Sequence, residues 1–233
     1  MKRLCFNNCQ SDDFKACGRS QAVGRFIKKV YKKGYILDIG CASGYFIRDI
    51  LRKYGCKTLG VDINFTDILR ARSFCDKVVV ADACNLPFKN CSVETIVCME
   101  TLEHISNDDA VLQGFDRIIK ESGYLVITVP SANLRYLDPV NILYKIKSTV
   151  GMKSTHFHLR HYKIDFFCKK LSNFDLIEYR HYQLFTIWIS ILYGLVPSRI
   201  RNLLRIFLDP IVNIEYRFSY PLGICLFSAF KKK

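Results

Sequence analysis

The chain has 233 residues, half of them apolar and 24% charged, and 35 Lys and Arg against 21 Asp and Glu leave a net charge of +14. That is enough apolar material for one core with elaborations, and it excludes a disordered or low-complexity chain. No apolar run follows the basic start, and the longest uncharged stretch, residues 182–198, is shorter than the ~20 residues of a spanning helix. Neither a signal peptide nor a transmembrane segment is expected.

The eleven cysteines are an odd number, and several, such as Cys98, Cys168 and Cys225, sit in apolar runs. They read as reduced thiols of a cytoplasmic protein. Cys5, Cys9 and Cys17 would supply three ligands of a metal site, but no fourth Cys or His stands nearby at a usual spacing. The charge is uneven: residues 1–36 carry +7, residues 37–130 carry −3, and residues 131–183 and 184–233 carry +5 each. A mildly acidic centre is thus flanked by basic segments, which suit nucleic acid, anionic lipid, an acidic substrate or plain solvation.

In chain order, residues 35–39 read as a buried strand entering a small-residue turn, and residues 45–54 have helical apolar spacing. Strands follow at 58–62, 77–81, 95–99 and 124–129, with helical stretches through Ala71 and over 110–120 between them. Strands alternating with helices imply βαβ crossovers and a parallel sheet. Residues 131–162 are basic and aromatic with no period. Residues 164–171 look helical, and 174–182 and 222–230 look like strands. Between those strands, Ile200, Leu203, Leu204, Phe207, Leu208 and Ile211 fall at helical spacing, with Arg199, Arg201, Asn202 and Arg205 opposite. Pro210 is expected to kink or end this helix. The expected division is an N-terminal extension over 1–18, an α/β domain over 19–183 and 219–233, and a helical insert over 184–218.

The strongest chemical signal is the run LDIGCASGYF, residues 37–46, where small residues let the backbone approach a ligand and the next helix offers free N–H groups. Ala42 stands where a dinucleotide-binding turn has its second glycine. Asp38 before the turn would repel a pyrophosphate but suits a cofactor bearing an ammonium and a sulfonium. Acids recur at the next strand ends, Asp62 placed for ribose hydroxyls and Asp82 for an adenine amino group. Any one of them is as readily a turn-forming or capping Asp; three in register carry more weight.

Taken together, LDIGCASGYF, GVDIN (60–64), ADACNLPF (81–88), VETIVCMETLEHI (93–105) and IIKESGYLVITVP (118–130) resemble the class I S-adenosylmethionine-dependent methyltransferases, in order, over about residues 20–130. The flavour is that of small-molecule and quinone-biosynthesis enzymes. The resemblance implies a Rossmann-like seven-stranded, mostly parallel sheet with helices on both faces, its last strand antiparallel and inserted beside the fifth. It implies S-adenosylmethionine as cofactor, with Asp38, Gly40, Cys41 and Gly44 at the methionine end, Asp62 and Ile63 at the ribose, Asp82 and Ala83 at the adenine, and Met99 facing the cofactor. Alignment of donor and acceptor does most of the chemistry, because the sulfonium is already activated.

His104, just past the fourth strand, is the candidate base, with helix capping as the plain alternative. Glu100, Glu103 and His104 would share one side of a helical turn. With His158, from the cluster His156, His158 and His161, they would hold a divalent metal as some related methyltransferases do. The expected acceptor is small or lipid-like, methylated on oxygen or carbon. The insert would cover that acceptor, lie on an anionic membrane surface at the inner face of the membrane, or simply close the core. RNA modification is the competing class, weakened by the missing Asn/Asp-Pro-Pro-Tyr turn and RNA-binding module. A catalytically inactive cofactor-binding partner subunit is the third.

Overall fold

The computed structural model describes residues 18–149, 158–185, 187–218 and 220–233. Cys5, Cys9, Cys17 and His156 lie outside the described residues. The chain runs α1 (Gly18–Val30), β1 (Tyr35–Ile39), β2 (Lys57–Asp62), α2 (Phe65–Ala71), β3 (Lys77–Val80), β4 (Val93–Met99), α3 (Asp108–Ile118) and β5 (Ile119–Pro130). It continues with α4 (Pro139–Thr149), α5 (Ile164–Lys170), β6 (Phe174–Tyr182), α6 (Ile187–Leu195), α7 (Ser198–Glu215) and β7 (Cys225–Lys232).

The seven strands form one sheet in the order β3-β2-β1-β4-β5-β7-β6. β1 to β5 pair in parallel, while β7 is antiparallel to both β5 and β6. Alternation along each strand sends residues to two cores. Leu37, Ile39, Ile96, Cys98, Leu125 and Ile127 face α3 and α5, with Phe115 and Phe167 filling that side. Ile36, Val97, Val126 and Phe227 face α1, whose Val23, Phe26 and Ile27 cover them. Both faces are buried, as a parallel sheet requires.

The expected strands are all present, with shifted ends. β5 begins at Ile119 rather than 124, and α3 stops at Ile118 rather than 120. Ser122, at φ +59°, precedes Gly123, and the β4–β5 register shifts between Val93 and Thr95, so an irregular segment prolongs the strand. The expected helix over 45–54 is a π-helical turn, Ile47–Leu51, followed by a 3₁₀ turn, Arg52–Tyr54, that ends at left-handed Gly55. The aperiodic stretch after Pro130 holds a 3₁₀ segment, Ala132–Leu137, and α4. Of the two outcomes expected at Pro210, an end is not seen: α7 runs on through that residue to Glu215. Among the described residues no helix is long and apolar enough to cross a membrane, and eight cysteines are free thiols.

Candidate active site

The parallel register brings the carboxyl ends of β1, β2 and β4 side by side, where open α/β sheets bind ligands. Asp38 pairs with Gly60 on one side and Val97 on the other. The turn after β1 is held by Gly40 and Cys41, whose N–H groups both donate to the Val61 carbonyl at 2.8 and 3.0 Å. Gly40 (φ +75°) presses on the next loop, since a Cβ there would sit 2.1 Å from Thr101 Oγ1. Thr101 in turn donates to the Met99 carbonyl at 3.0 Å. Ala42 adopts φ +46° and Gly44 φ +79°, so the turn is left-handed at a residue with a side chain as well as at glycines.

Asp62 organises this turn. Its Oδ2 accepts the Ala42 N–H at 2.9 Å and its Oδ1 accepts the Asn64 N–H at 2.8 Å. Asp38 is buried beside it, and burial, with the Asp62 charge adding to it, pushes its carboxyl up to about 7. Burial, again first, with nearby carboxylates also raises the Cys41 thiol, which stays protonated and inert. Ile63 is exposed just past Asp62, and Met99 ends β4 half-buried. Asp82 is exposed beyond β3, its Oδ1 accepting the Cys84 N–H at 2.9 Å, with Ala83 half-buried next to it.

The second half of the site follows β4. Glu100, at φ +49°, precedes a 3₁₀ turn over Leu102–His104, so the three residues expected on one helical face divide. Glu100 turns to α1, where its Oε2 lies 2.8 Å from Arg19 Nη1. Glu103 is completely buried, with neither carboxylate oxygen hydrogen-bonded. Burial, followed by the Glu100 charge, raises its pKa well above the usual carboxylate range. Its Oε1 stands 3.8 Å from His104 Nε2 and 3.9 Å from His158 Nε2. Glu103, His104 and His158 thus converge as expected, and Glu100 stands outside that group.

Asp138 completes the cluster. Its Oδ2 meets His158 Nδ1 at 2.6 Å and His161 Nε2 at 2.7 Å, while Oδ1 accepts the Val140 N–H at 2.9 Å and caps α4. Burial would raise this carboxyl, but the two histidines hold it well below the usual range. Sequence reasoning missed Asp138; the one available signal was its place before Pro139, a helix-start pattern in an aperiodic stretch. Thr101 and Arg19 were missed as well, for neither carries a recognisable spacing. A cavity of about 690 Å³ lies elsewhere, beside Asn133, Tyr179, His181 and Tyr220, and none of the cofactor-loop residues lines it.

Residues 37–127 match the family model described as a methyltransferase domain. An Arabidopsis thaliana protein named tRNA (carboxymethyluridine(34)-5-O)-methyltransferase is 27% identical over 113 residues, covering 47% of this chain and 27% of the relative. A ubiquinone biosynthesis O-methyltransferase of Rhodopseudomonas palustris is 28% identical over 107 residues, covering 42% of this chain and 40% of the relative. The chain therefore spans less than half of either relative. A crystal structure of a putative methyltransferase from Bacillus halodurans superposes with a TM-score of 0.62 at 18% identity, covering 91% of this chain and 97% of that one. A [4+2]-cyclase structure superposes with the same TM-score at 14% identity, covering 92% and 81%, a case of one fold serving other chemistry. The motif order and the seven-stranded topology agree with the matched model: residues 37–127 carry a methyltransferase domain, of the kind that class I S-adenosylmethionine-dependent enzymes have.

Proposed function

We propose that the protein transfers the S-methyl group of S-adenosylmethionine to a small or lipid-like acceptor, on oxygen in preference to carbon. The observation that carries this reading is the acid–histidine cluster of Glu103, His104, His158 and Asp138, seated one turn beyond β4 and tied through Thr101 to the glycine turn. An oxygen nucleophile gains from a nearby base, and a hydroxyl must lose its proton somewhere.

The residues fit the cofactor. A carboxylate as buried as Asp38 favours a cationic ligand group beside it, and Asp62 ends β2, where a carboxylate suits ribose hydroxyls. The donor supplies a methyl group on a positively charged sulfur, already a good leaving group. Asp38 and Asp62 anchor opposite ends of it, and the Gly40–Gly44 turn lets the backbone come close. His104, 40% exposed, takes the acceptor proton, and His158 behind it is oriented by Asp138.

A specific observation also favours a divalent cation in the same place. The buried, hydrogen-bond-free carboxyl of Glu103 needs a proton or a cation, and Nε2 of two histidines lies beside it. Glu103, His104 and His158 would hold such an ion, which would lower the pKa of an acceptor hydroxyl. Thermal shifts with Mg²⁺, Mn²⁺ and Zn²⁺ separate the two: stabilisation of the natural protein and none of Glu103→Gln supports the ion, and no shift leaves the histidine base alone.

Incubation with methyl-labelled cofactor and fractionated cell extract tests the acceptor class. Label in lipid or small metabolites is expected. Label in RNA would move the protein to the class of the tRNA-modifying relative, and cofactor binding without label in any fraction would mark a non-catalytic partner subunit.

A further inference from the structure

We propose that α6 and α7 form a docking face for an anionic membrane surface, lying in the headgroup region beside the site. The inference rests on the lipid-like acceptor reading for its purpose only.

Of the 23 large apolar side chains exposed among the described residues, twelve fall between 185 and 222. On α7, Ile200, Leu203, Phe207, Ile211 and Ile214 follow one another at steps of 3, 4, 4 and 3, a single stripe along a helix of about 27 Å. Each is at least half exposed, with Phe207 at 68%. A different side of the helix is used for packing: Val212 lies against the core and Glu215 is buried, and Tyr216, just past the helix end, packs near Tyr182 and presses on Gly18 of α1, its carbonyl accepting from Arg25 at 2.7 Å. The stripe is therefore not the face that closes the core, and an exposed apolar patch of this extent marks an interaction surface. Trp188 on α6 is 66% exposed, and aromatic rings of that kind favour the level of lipid headgroups.

Charge selects lipid over a neutral partner. The insert has two acids, and both are engaged internally. Asp209 holds Arg205 at 3.0 Å and the Tyr193 hydroxyl at 2.9 Å. Glu215 is buried and accepts the N–H groups of Leu184 and Phe185. Arg199 and Arg217 are exposed on α7 and just beyond it, and so is Lys145 on α4, which packs against α6. Residues 131–233 together carry +10, against −3 for residues 37–130. An apolar stripe flanked by cations matches the acyl-headgroup boundary of an anionic leaflet.

The face adjoins the site. The insert leaves the sheet at the carboxyl end of β6 and returns at the start of β7, where Cys225 Sγ lies 3.9 Å from Glu100 Oε1. Its partner helix α1 carries Arg19, which holds the same Glu100.

Flotation of the full chain with vesicles of phosphatidylcholine, alone or mixed with phosphatidylglycerol, tests the proposal. The protein should float with the mixed vesicles and stay down with the neutral ones. Leu203→Glu with Phe207→Glu should abolish flotation while leaving the far-ultraviolet circular dichroism unchanged, because both side chains point to solvent. Arg199→Glu with Arg217→Glu should cut partitioning roughly tenfold or more. No flotation with anionic vesicles, or equal flotation of the apolar double variant, overturns the proposal. So does a dimer in light scattering that the apolar double variant splits without any vesicle binding, for the face then belongs to a second copy. The readout needs no methyl transfer: flotation without transfer sinks the proposed function alone, and transfer without flotation sinks the docking face alone.

Discussion

At Ala42 the backbone holds a left-handed conformation that a Cβ disfavours, and the Asp62 carboxylate fixes it there by gripping the Ala42 N–H. Ala42→Gly should therefore raise stability by about 0.5–1 kcal/mol in urea unfolding, the relief of strain outweighing the greater freedom of glycine in the unfolded chain. Asp38 behaves oppositely to an ordinary carboxylate. Its folded pKa of about 7 lies above its ordinary 3.8, so the folded state retains a proton that the unfolded state loses. Its contribution to stability is full below about pH 4 and is lost as pH rises through 7. Melting curves of the cofactor-free protein against Asp38→Asn should show the variant gaining on the natural protein across that interval. Strand-end acids were legible in the sequence because each follows an apolar run at a fixed place. Asp138 was not, because its partners His158 and His161 lie 20 and 23 residues away and no periodicity connects them.

Elements with a strong period were legible and the others were not. The buried strands β1 to β5 announce themselves as apolar runs between turns, whereas the segment from Ala132 to Thr149 mixes cations, aromatics and apolar residues without a stripe. Its helix is set instead by a capping acid, Asp138, and by packing on α6. Local rules left two outcomes at Pro210, a kink or an end, and α7 does not end there. A proline there removes the hydrogen bond to the carbonyl four residues earlier, and the helix continues without it. Pro210→Ala should raise the melting temperature, with a gain of about 1–3 kcal/mol in chemical unfolding. A fall instead would mean that a local bend at this residue is needed to seat Tyr216 on α1.

On the scale of the whole molecule, β7 is the piece on which the sheet depends. It pairs along Tyr124 to Pro130 of β5 and along Phe174 to Tyr182 of β6, and it supplies Phe227 to one core and Phe230 to the other. A chain stopped before Cys225 should lose cooperative thermal unfolding, since both cores open and β6 has no neighbour. The antiparallel placement of this strand followed from the family resemblance, whereas its two-sided packing required coordinates. If S-adenosylmethionine binds as proposed, the protonated Asp38 has one more effect, on the heat of that binding. Near neutral pH, a ligand whose ammonium settles beside that carboxyl drives off its proton, which the buffer must absorb. Titration calorimetry in phosphate and in Tris should then return enthalpies that differ in proportion to the two buffers' heats of ionisation, and Asp38→Asn should make them equal.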